Sequence, residues 1–258
     1  MWKKMTRIIK KYYEYLLTKV KLLFEQKVFI YGNVKVKYML RKVKEPEALI
    51  IVFSACTRKG LKARYNYVRT LQGIKATRLH ILDDYGSDGR GSYYMGHNFR
   101  FDEEDATKAL IDAVVKELNP RIMIFCGSSK GGYSALNFGL QYPEAYIVIG
   151  GPQYYLTSYL KGTENMPSFE HILGDSTPEK EQFLEYYLRR RIYEDEFADS
   201  QHIYIHYSNK EHTYEEHIKD MLVDLKAKKI HISEDVADYQ AHSDISLYFP
   251  EFLLRTIE

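Results

Sequence analysis

Cysteine is nearly absent: Cys56 and Cys126 are the two in 258 residues. A disulfide framework is therefore excluded as the basis of the fold. Both thiols sit at or near apolar, strand-like runs and read as buried groups of a protein in a reducing, cytoplasmic compartment. No C-x-x-C pair and no His/Cys ligand spacing occurs, so no metal centre is expected. Long hydrophobic runs are missing too, which excludes a bilayer-spanning helix. The N-terminus is basic but lacks a continuous apolar core and a small-residue cleavage site, so it is not a secretory signal. Net charge is only +2, which gives no reason to expect nucleic acid as a partner. Internal repeats and low-complexity linkers are likewise absent.

The small net charge hides an uneven distribution. Residues 1–27 carry +6 and the remainder −4. Trp2, Met5, Ile9, Tyr12, Leu16, Val20 and Leu23 recur at helical spacing, so residues 1–27 read as a basic amphipathic helix. Three roles stay open for it: packing on its own domain, docking on a protein complex, or lying peripherally on the inner face of a membrane. Tyrosine is abundant, with 24 residues. It fills a half-polar interior, or it forms a sugar-facing surface, since an aromatic face packs on sugar C–H groups while the hydroxyl hydrogen-bonds.

Beyond residue 27 the chain alternates. Val28–Tyr31, Gly32-Asn33 and Val34–Leu40 predict a hairpin. Ala48–Ser54 is a continuous apolar run of the kind buried on both faces of a parallel sheet. Further strands are expected at 78–82, 122–126, 146–149, 202–207 and 229–233. Helices are expected at 103–117, 214–226 and 248–257. The stretch from about 154 to 200 breaks the alternation with helical segments, notably 180–192. The predicted class is α/β: an α/β-hydrolase fold over residues 28–258, with a mostly parallel central sheet, helices on both faces and a helical cap inserted at about 154–200.

The chemistry centres on Gly127-Ser128-Ser129-Lys130-Gly131, between the strand 122–126 and a helix-like run. Strand, tight G-x-S-x-G turn and helix form a nucleophile elbow, which lifts the Ser129 hydroxyl to the helix N-terminus where an oxyanion is held. A P-loop would need Lys after its second glycine; Gly132 and Tyr133 stand there instead. A pyridoxal-type lysine lacks the rest of its fold, and no cofactor is expected. In this fold the acid and then the histidine follow the serine. The acid belongs in the turn after strand 202–207, where Glu211 is the choice and Glu216 the next. The base is His242, in the loop before the last helix. One oxyanion N–H should come from Lys130, the other from Ser54-Ala55-Cys56, with Ala55 the estimate. The Lys130 side chain points away from the serine and is left as a contact for an anionic substrate. Asp84, Tyr94, His97, Gln153 and Tyr154 are substrate-site candidates, because their loops should lie at the strand carboxyl ends.

Phe53-Ser54-Ala55, Tyr65–Leu71, Asp83-Asp84-Tyr85-Gly86, Tyr93-Tyr94-Met95-Gly96, Gly127–Tyr133, Gly151-Pro152-Gln153-Tyr154 and His242-Ser243-Asp244 together resemble the XcbB/CpsF-type capsular polysaccharide biosynthesis proteins. They are also similar to the α/β-hydrolase region of the accessory-Sec proteins that modify serine-rich surface glycoproteins. The resemblance runs from about residue 48 to the end and implies a serine-dependent enzyme of cell-surface glycan metabolism. It implies Ser129 as nucleophile, Glu211 as acid and His242 as base, with an acyl ester of a carbohydrate or glycan as substrate. Esterase and O-acetyltransferase remain open, as does a non-catalytic hydrolase-fold subunit of a membrane-associated glycan assembly complex.

Overall fold

The computed structural model describes residues 24–44, 47–194 and 201–258. Most of the basic N-terminal segment therefore lies outside the described residues. Its last residue, Lys27, begins the first strand instead of ending a helix.

Eight strands form one sheet in the order β1-β2-β4-β3-β5-β6-β7-β8. They are β1 Lys27–Tyr31, β2 Val34–Arg41, β3 Ala48–Phe53, β4 Thr77–Leu82, β5 Ile122–Ser128, β6 Tyr146–Gly150, β7 His202–Ser208 and β8 His231–Ala237. The hairpin β1–β2 is antiparallel and joins β4 antiparallel; β4, β3, β5, β6, β7 and β8 run parallel. This is the mostly parallel sheet that the alternating sequence predicts.

Strand periodicity divides the core. Leu49, Ile51 and Phe53 of β3 point to one face, with Phe125, Ile147, Ile149, Ile203 and Ile205 of its neighbours. That face is covered by α1 (Asp102–Leu118), α2 (Lys130–Gly139) and α7 (Lys219–Ala227). Ile50, Val52, Ile124, Cys126 and Val148 point to the other face. They meet Leu71 of the 3-10 turn Thr70–Gly73 and Phe249, Phe252 and Leu253 of the last helix, α8 (Ile245–Ile257). Both faces of the middle strands are thus sealed, which is why those strands read as unbroken apolar runs. Cys126 is buried as expected, whereas Cys56 is half-buried; both are free.

Between β6 and β7 the chain forms α3 (Leu156–Leu160), α4 (Met166–Leu173), α5 (Pro178–Glu185) and α6 (Tyr187–Glu194). The helical stretch expected over 180–192 is divided between α5 and α6. Thr177 caps α5, its side chain accepting from the Lys180 N–H, and Pro178 takes the first helical position, where no amide hydrogen is needed. Strand β8 starts and ends later than the run 229–233 suggests. It is an edge strand whose polar residues are used: Glu234 accepts from Tyr207 Oη (2.7 Å) and Asp235 meets His206 Nδ1 (2.6 Å). Helix α8 begins directly after the 3-10 turn His242–Asp244, earlier than residue 248. Among the described residues no helix is long and apolar enough to cross a membrane.

Two histidines are held neutral. Burial, with Arg41 adding repulsion, lowers His80 to about 3. Burial likewise lowers His217 to about 4. The unfolded chain protonates both rings below about pH 6.5, while the fold does so only below those lowered values. Stability is therefore full above about pH 6.5 and falls as pH drops toward about 4, by up to about 1.4 kcal/mol per pH unit for each histidine. Urea unfolding at pH 7, 6 and 5 should show this slope, and His80→Phe should reduce it by about half, leaving the His217 share. An unchanged slope in that variant would contradict the assignment.

Candidate active site

Ser129 sits between β5 and α2 with φ 52° and ψ −124°, a backbone conformation that residues other than glycine rarely adopt. The close crossing explains the flanking glycines. A Cβ at Gly131 would come within 2.7 Å of the Phe53 carbonyl oxygen, and one at Gly127 would strike the Gly131 carbonyl. The Ser129 N–H donates to Gly150 O (2.8 Å), tying the turn to β6. Tyr67 Oη lies 2.5 Å from Ser128 Oγ and holds the preceding residue from the other face. Strain of this kind costs on the order of 1–3 kcal/mol and persists only where the surroundings over-determine it.

The structure brings Ser129, His242 and Glu211 together across 113 and 31 residues of sequence. Ser129 Oγ is 2.9 Å from His242 Nε2, and His242 Nδ1 is 3.1 Å from Glu211 Oε2. Each arrives from the carboxyl end of a parallel strand: the serine after β5, the glutamate after β7, the histidine after β8. Glu211 is buried, and Thr213 Oγ1 donates to its other oxygen, Oε1, at 2.5 Å. Burial pushes this carboxyl up, but the hydrogen bonds from His242 and Thr213 outweigh it and hold the group below the ordinary carboxylate range. The ring therefore faces a carboxylate, which fixes Nδ1 as the protonated nitrogen and leaves Nε2 as the acceptor for the serine proton. Glu216, the alternative acid, instead meets exposed His212 Nδ1 at 2.9 Å.

The other expected residues divide. Gln153 reaches the nucleophile: its Nε2 is 3.2 Å from Ser129 Oγ. Tyr94 and Tyr154 are wholly buried and turned to structural partners, so they do not meet substrate as expected. Tyr94 Oη accepts the Ser54 N–H (2.7 Å) and donates to Ile81 O (2.9 Å), while Tyr154 Oη donates to Asp224 Oδ2 (2.6 Å). Asp84 pairs with Lys37 (2.5 Å) on the hairpin, and exposed His97 lies against His171 with the two rings tilted by 48°. The Ala55 N–H, the estimated oxyanion donor, donates to Asn66 Oδ1 (3.0 Å). The Lys130 N–H is the first of α2 and has no acceptor within its helix.

The Lys130 side chain is not a substrate contact. Its ammonium is buried, 2.7 Å from Asp83 Oδ2 and 3.0 Å from Arg90 O. Asp83, passed over in sequence for its neighbour Asp84, also accepts the N–H groups of Ser92 (2.9 Å) and Tyr94 (3.2 Å). Thr213, Tyr67 and Asn66 are further residues around the serine, bonded to Glu211, Ser128 and Ala55. Asn66 and Tyr67 lie in a tyrosine-rich stretch, which offered a signal, whereas Thr213 offered none.

No family model matches the chain, and no curated protein sequence does. Solved structures do. The capsule O-acetyltransferase of Neisseria meningitidis serogroup A is 24% identical, covers 89% of this chain and 92% of its own, and superposes with a TM-score of 0.73. A histidine-to-alanine variant of that protein in complex with CoA gives 0.74 at 22% identity, over 90% of this chain and 95% of its own. The glycosylation-associated Gap123 complex of Streptococcus agalactiae contains a chain that is 19% identical, with a TM-score of 0.72, 90% of this chain and 46% of that one being matched. An S-formylglutathione hydrolase from Agrobacterium tumefaciens gives 0.61 at 15% identity, over 90% and 94% of the two chains. At these identities the likeness establishes the fold, and the fold is that of the α/β-hydrolases.

The buried charge pair generates a stability prediction. Asp83→Ala leaves the Lys130 ammonium buried without its counter-charge and should cost about 3–5 kcal/mol in urea unfolding. The double variant Asp83→Leu/Lys130→Met should be closer to wild type than Asp83→Ala is. Additive losses in the double variant would contradict this coupling.

Proposed function

We propose that this α/β-hydrolase-fold protein is a serine-dependent acyl-transfer enzyme that places an acyl group, acetyl in the simplest case, on a hydroxyl of a capsular or surface-glycoprotein glycan. The observation that carries this reading is the hydrogen-bonded run from Ser129 Oγ through His242 to the Glu211 carboxylate, mounted on a strained elbow at a helix N-terminus. The capsule O-acetyltransferase and its complex with CoA support the glycan acceptor and a thioester donor.

In the first half-reaction Ser129 Oγ attacks the thioester carbonyl while its proton passes to His242 Nε2. Glu211 stabilises the imidazolium and keeps its orientation. The oxyanion gathers at the N-terminus of α2, facing the Lys130 N–H. Collapse breaks the carbon–sulfur bond, and His242 returns the proton to the departing thiol. In the second half-reaction a glycan hydroxyl gives its proton to His242, attacks the acyl-serine and leaves as the O-acyl glycan. Ser129 recovers its proton. If water enters in place of the sugar, the same residues make an esterase. The hydrolase neighbour keeps that second reading in view, and the outcome depends on how well the helices α3 to α6 exclude water.

A non-catalytic role in a glycan assembly complex, with residues 1–27 as its docking or membrane contact, is the rival reading. The Gap123 likeness speaks for a complex. The aligned side chains around Ser129 speak against loss of catalysis.

Ser129→Ala should lower acyl transfer from acetyl-CoA to capsular glycan at least about 10³-fold with an unchanged circular dichroism spectrum. Glu211→Gln should lower kcat by a comparable factor, as the ring loses its fixed tautomer. Turnover retained in Ser129→Ala would sink the serine mechanism. Free acetate formed faster than O-acetyl glycan would select the esterase reading.

A further inference from the structure

Two N–H donors are needed to hold the oxyanion of acyl transfer, and the helix that follows the nucleophile supplies one. The Lys130 N–H opens α2. Of the three amides Ser54, Ala55 and Cys56 at the end of β3, where the second donor is expected, the first two are engaged. Ser54 N donates to Tyr94 Oη at 2.7 Å and Ala55 N to Asn66 Oδ1 at 3.0 Å. Each of these bonds joins the end of β3 to a loop farther along the chain.

Gln153 is placed otherwise. It lies just beyond β6, whose last residue, Gly150, accepts the Ser129 N–H, and its side chain is fully buried. Its Nε2 is 3.2 Å from Ser129 Oγ, and its Oε1 is 3.4 Å from Tyr93 Oη. Burial raises the Tyr93 phenol well above its ordinary value, so it keeps its proton and donates. The sense of the chain is then fixed: Tyr93 O–H to Gln153 Oε1, Gln153 N–H to Ser129 Oγ, Ser129 O–H to His242 Nε2, His242 Nδ1–H to Glu211. Tyr93 and Tyr94 both hold the left-handed conformation, with φ 59° and 57°. Neighbouring strained residues of this kind mark a segment held in place by its surroundings.

We propose that the Gln153 side-chain amide is the second donor of the oxyanion hole, beside the Lys130 N–H. This deepens the serine acyl-transfer reading and rests on it. When Ser129 Oγ forms its bond to the acyl carbon, the lone pairs of Oγ weaken as acceptors. The oxygen on that same carbon becomes an anion, within reach of a donor already at Oγ. The N–H then shifts from Oγ to the oxyanion, an acceptor that exists only in the transition state and the intermediate. The gain appears in kcat more than in KM. Tyr93 acts through Gln153 as a positioning residue, holding its carbonyl so that the amide does not turn away.

The test compares wild type, Gln153→Met, Gln153→Glu and Tyr93→Phe in p-nitrophenyl acetate turnover and in the rate of fluorophosphonate labelling. Gln153→Met should lower kcat about 10²–10³-fold, the loss known for single oxyanion donors, with KM within about threefold of wild type. Gln153→Glu is the same shape but donates only when protonated. Its activity relative to wild type should therefore rise as pH falls, a trend that a packing role would not give. Tyr93→Phe should show a smaller loss in kcat. If Gln153→Met does not fold, the glutamate and Tyr93 variants carry the test. A KM increase at constant kcat would make Gln153 a substrate contact and overturn the proposal, as would a Gln153→Met kcat within about threefold of wild type. Wild-type protein that neither turns over the ester nor gains an adduct at Ser129 would overturn the serine reading itself, and this proposal with it.

Discussion

One buried charge pair ties together the loops on which the site is built. Asp83, at the end of β4, faces the Lys130 ammonium at the start of α2, with both side chains at 1% exposure or less. Two charges in so dry a place are tolerated only when every remaining valence is met. Here Lys130 also reaches Arg90 O, and Asp83 collects the amides of Ser92 and Tyr94. Tyr94 in turn holds Ser54 at the end of β3. At Gly91, with φ +112°, any Cβ would run into the Lys130 ammonium and the Asp83 carboxylate. The carboxyl ends of β3, β4 and β5 are thus fastened to one another just beneath the serine.

With that edge fixed, the site needs little more than chain direction. In a parallel sheet all strands deliver their following loops to one end, so residues far apart in sequence converge there. Ser129, Glu211 and His242 meet because each follows a strand that points the same way. The elbow adds the strain that lifts Ser129 clear of α2, and the helix end adds a free N–H. Thr213 completes the set by satisfying the glutamate oxygen that His242 does not use.

Much of this was legible in the sequence because it depends on local pattern and order. Apolar runs gave the parallel strands, and Gly32-Asn33 gave the hairpin. The G-x-S-x-G spacing identified Ser129, and the order of the later loops picked out Glu211 and His242, which the structure places side by side. What failed depended on parity and on distant partners. Asp83 and Asp84 are adjacent, and only the exact end of β4 decides that the first turns inward to Lys130 and the second outward to Lys37. Tyr94 and Tyr154 looked like loop residues open to substrate. Their hydroxyls belong to Ser54, Ile81 and Asp224, contacts separated by as many as 70 residues. The sequence pattern places edge strand β8 too early because its acidic residues look like loop, although they pair with His206, Tyr207, Lys226 and Arg255.

The central claim is that Ser129 carries the acyl group between donor and acceptor. The direct measurement is intact-protein mass after an acid quench, milliseconds to seconds after mixing with acetyl-CoA or p-nitrophenyl acetate, followed by peptide mapping. The account predicts a transient adduct of one acetyl group on the peptide containing Ser129, which glycan acceptor discharges. Turnover without an adduct, or an adduct on a different residue, would contradict it.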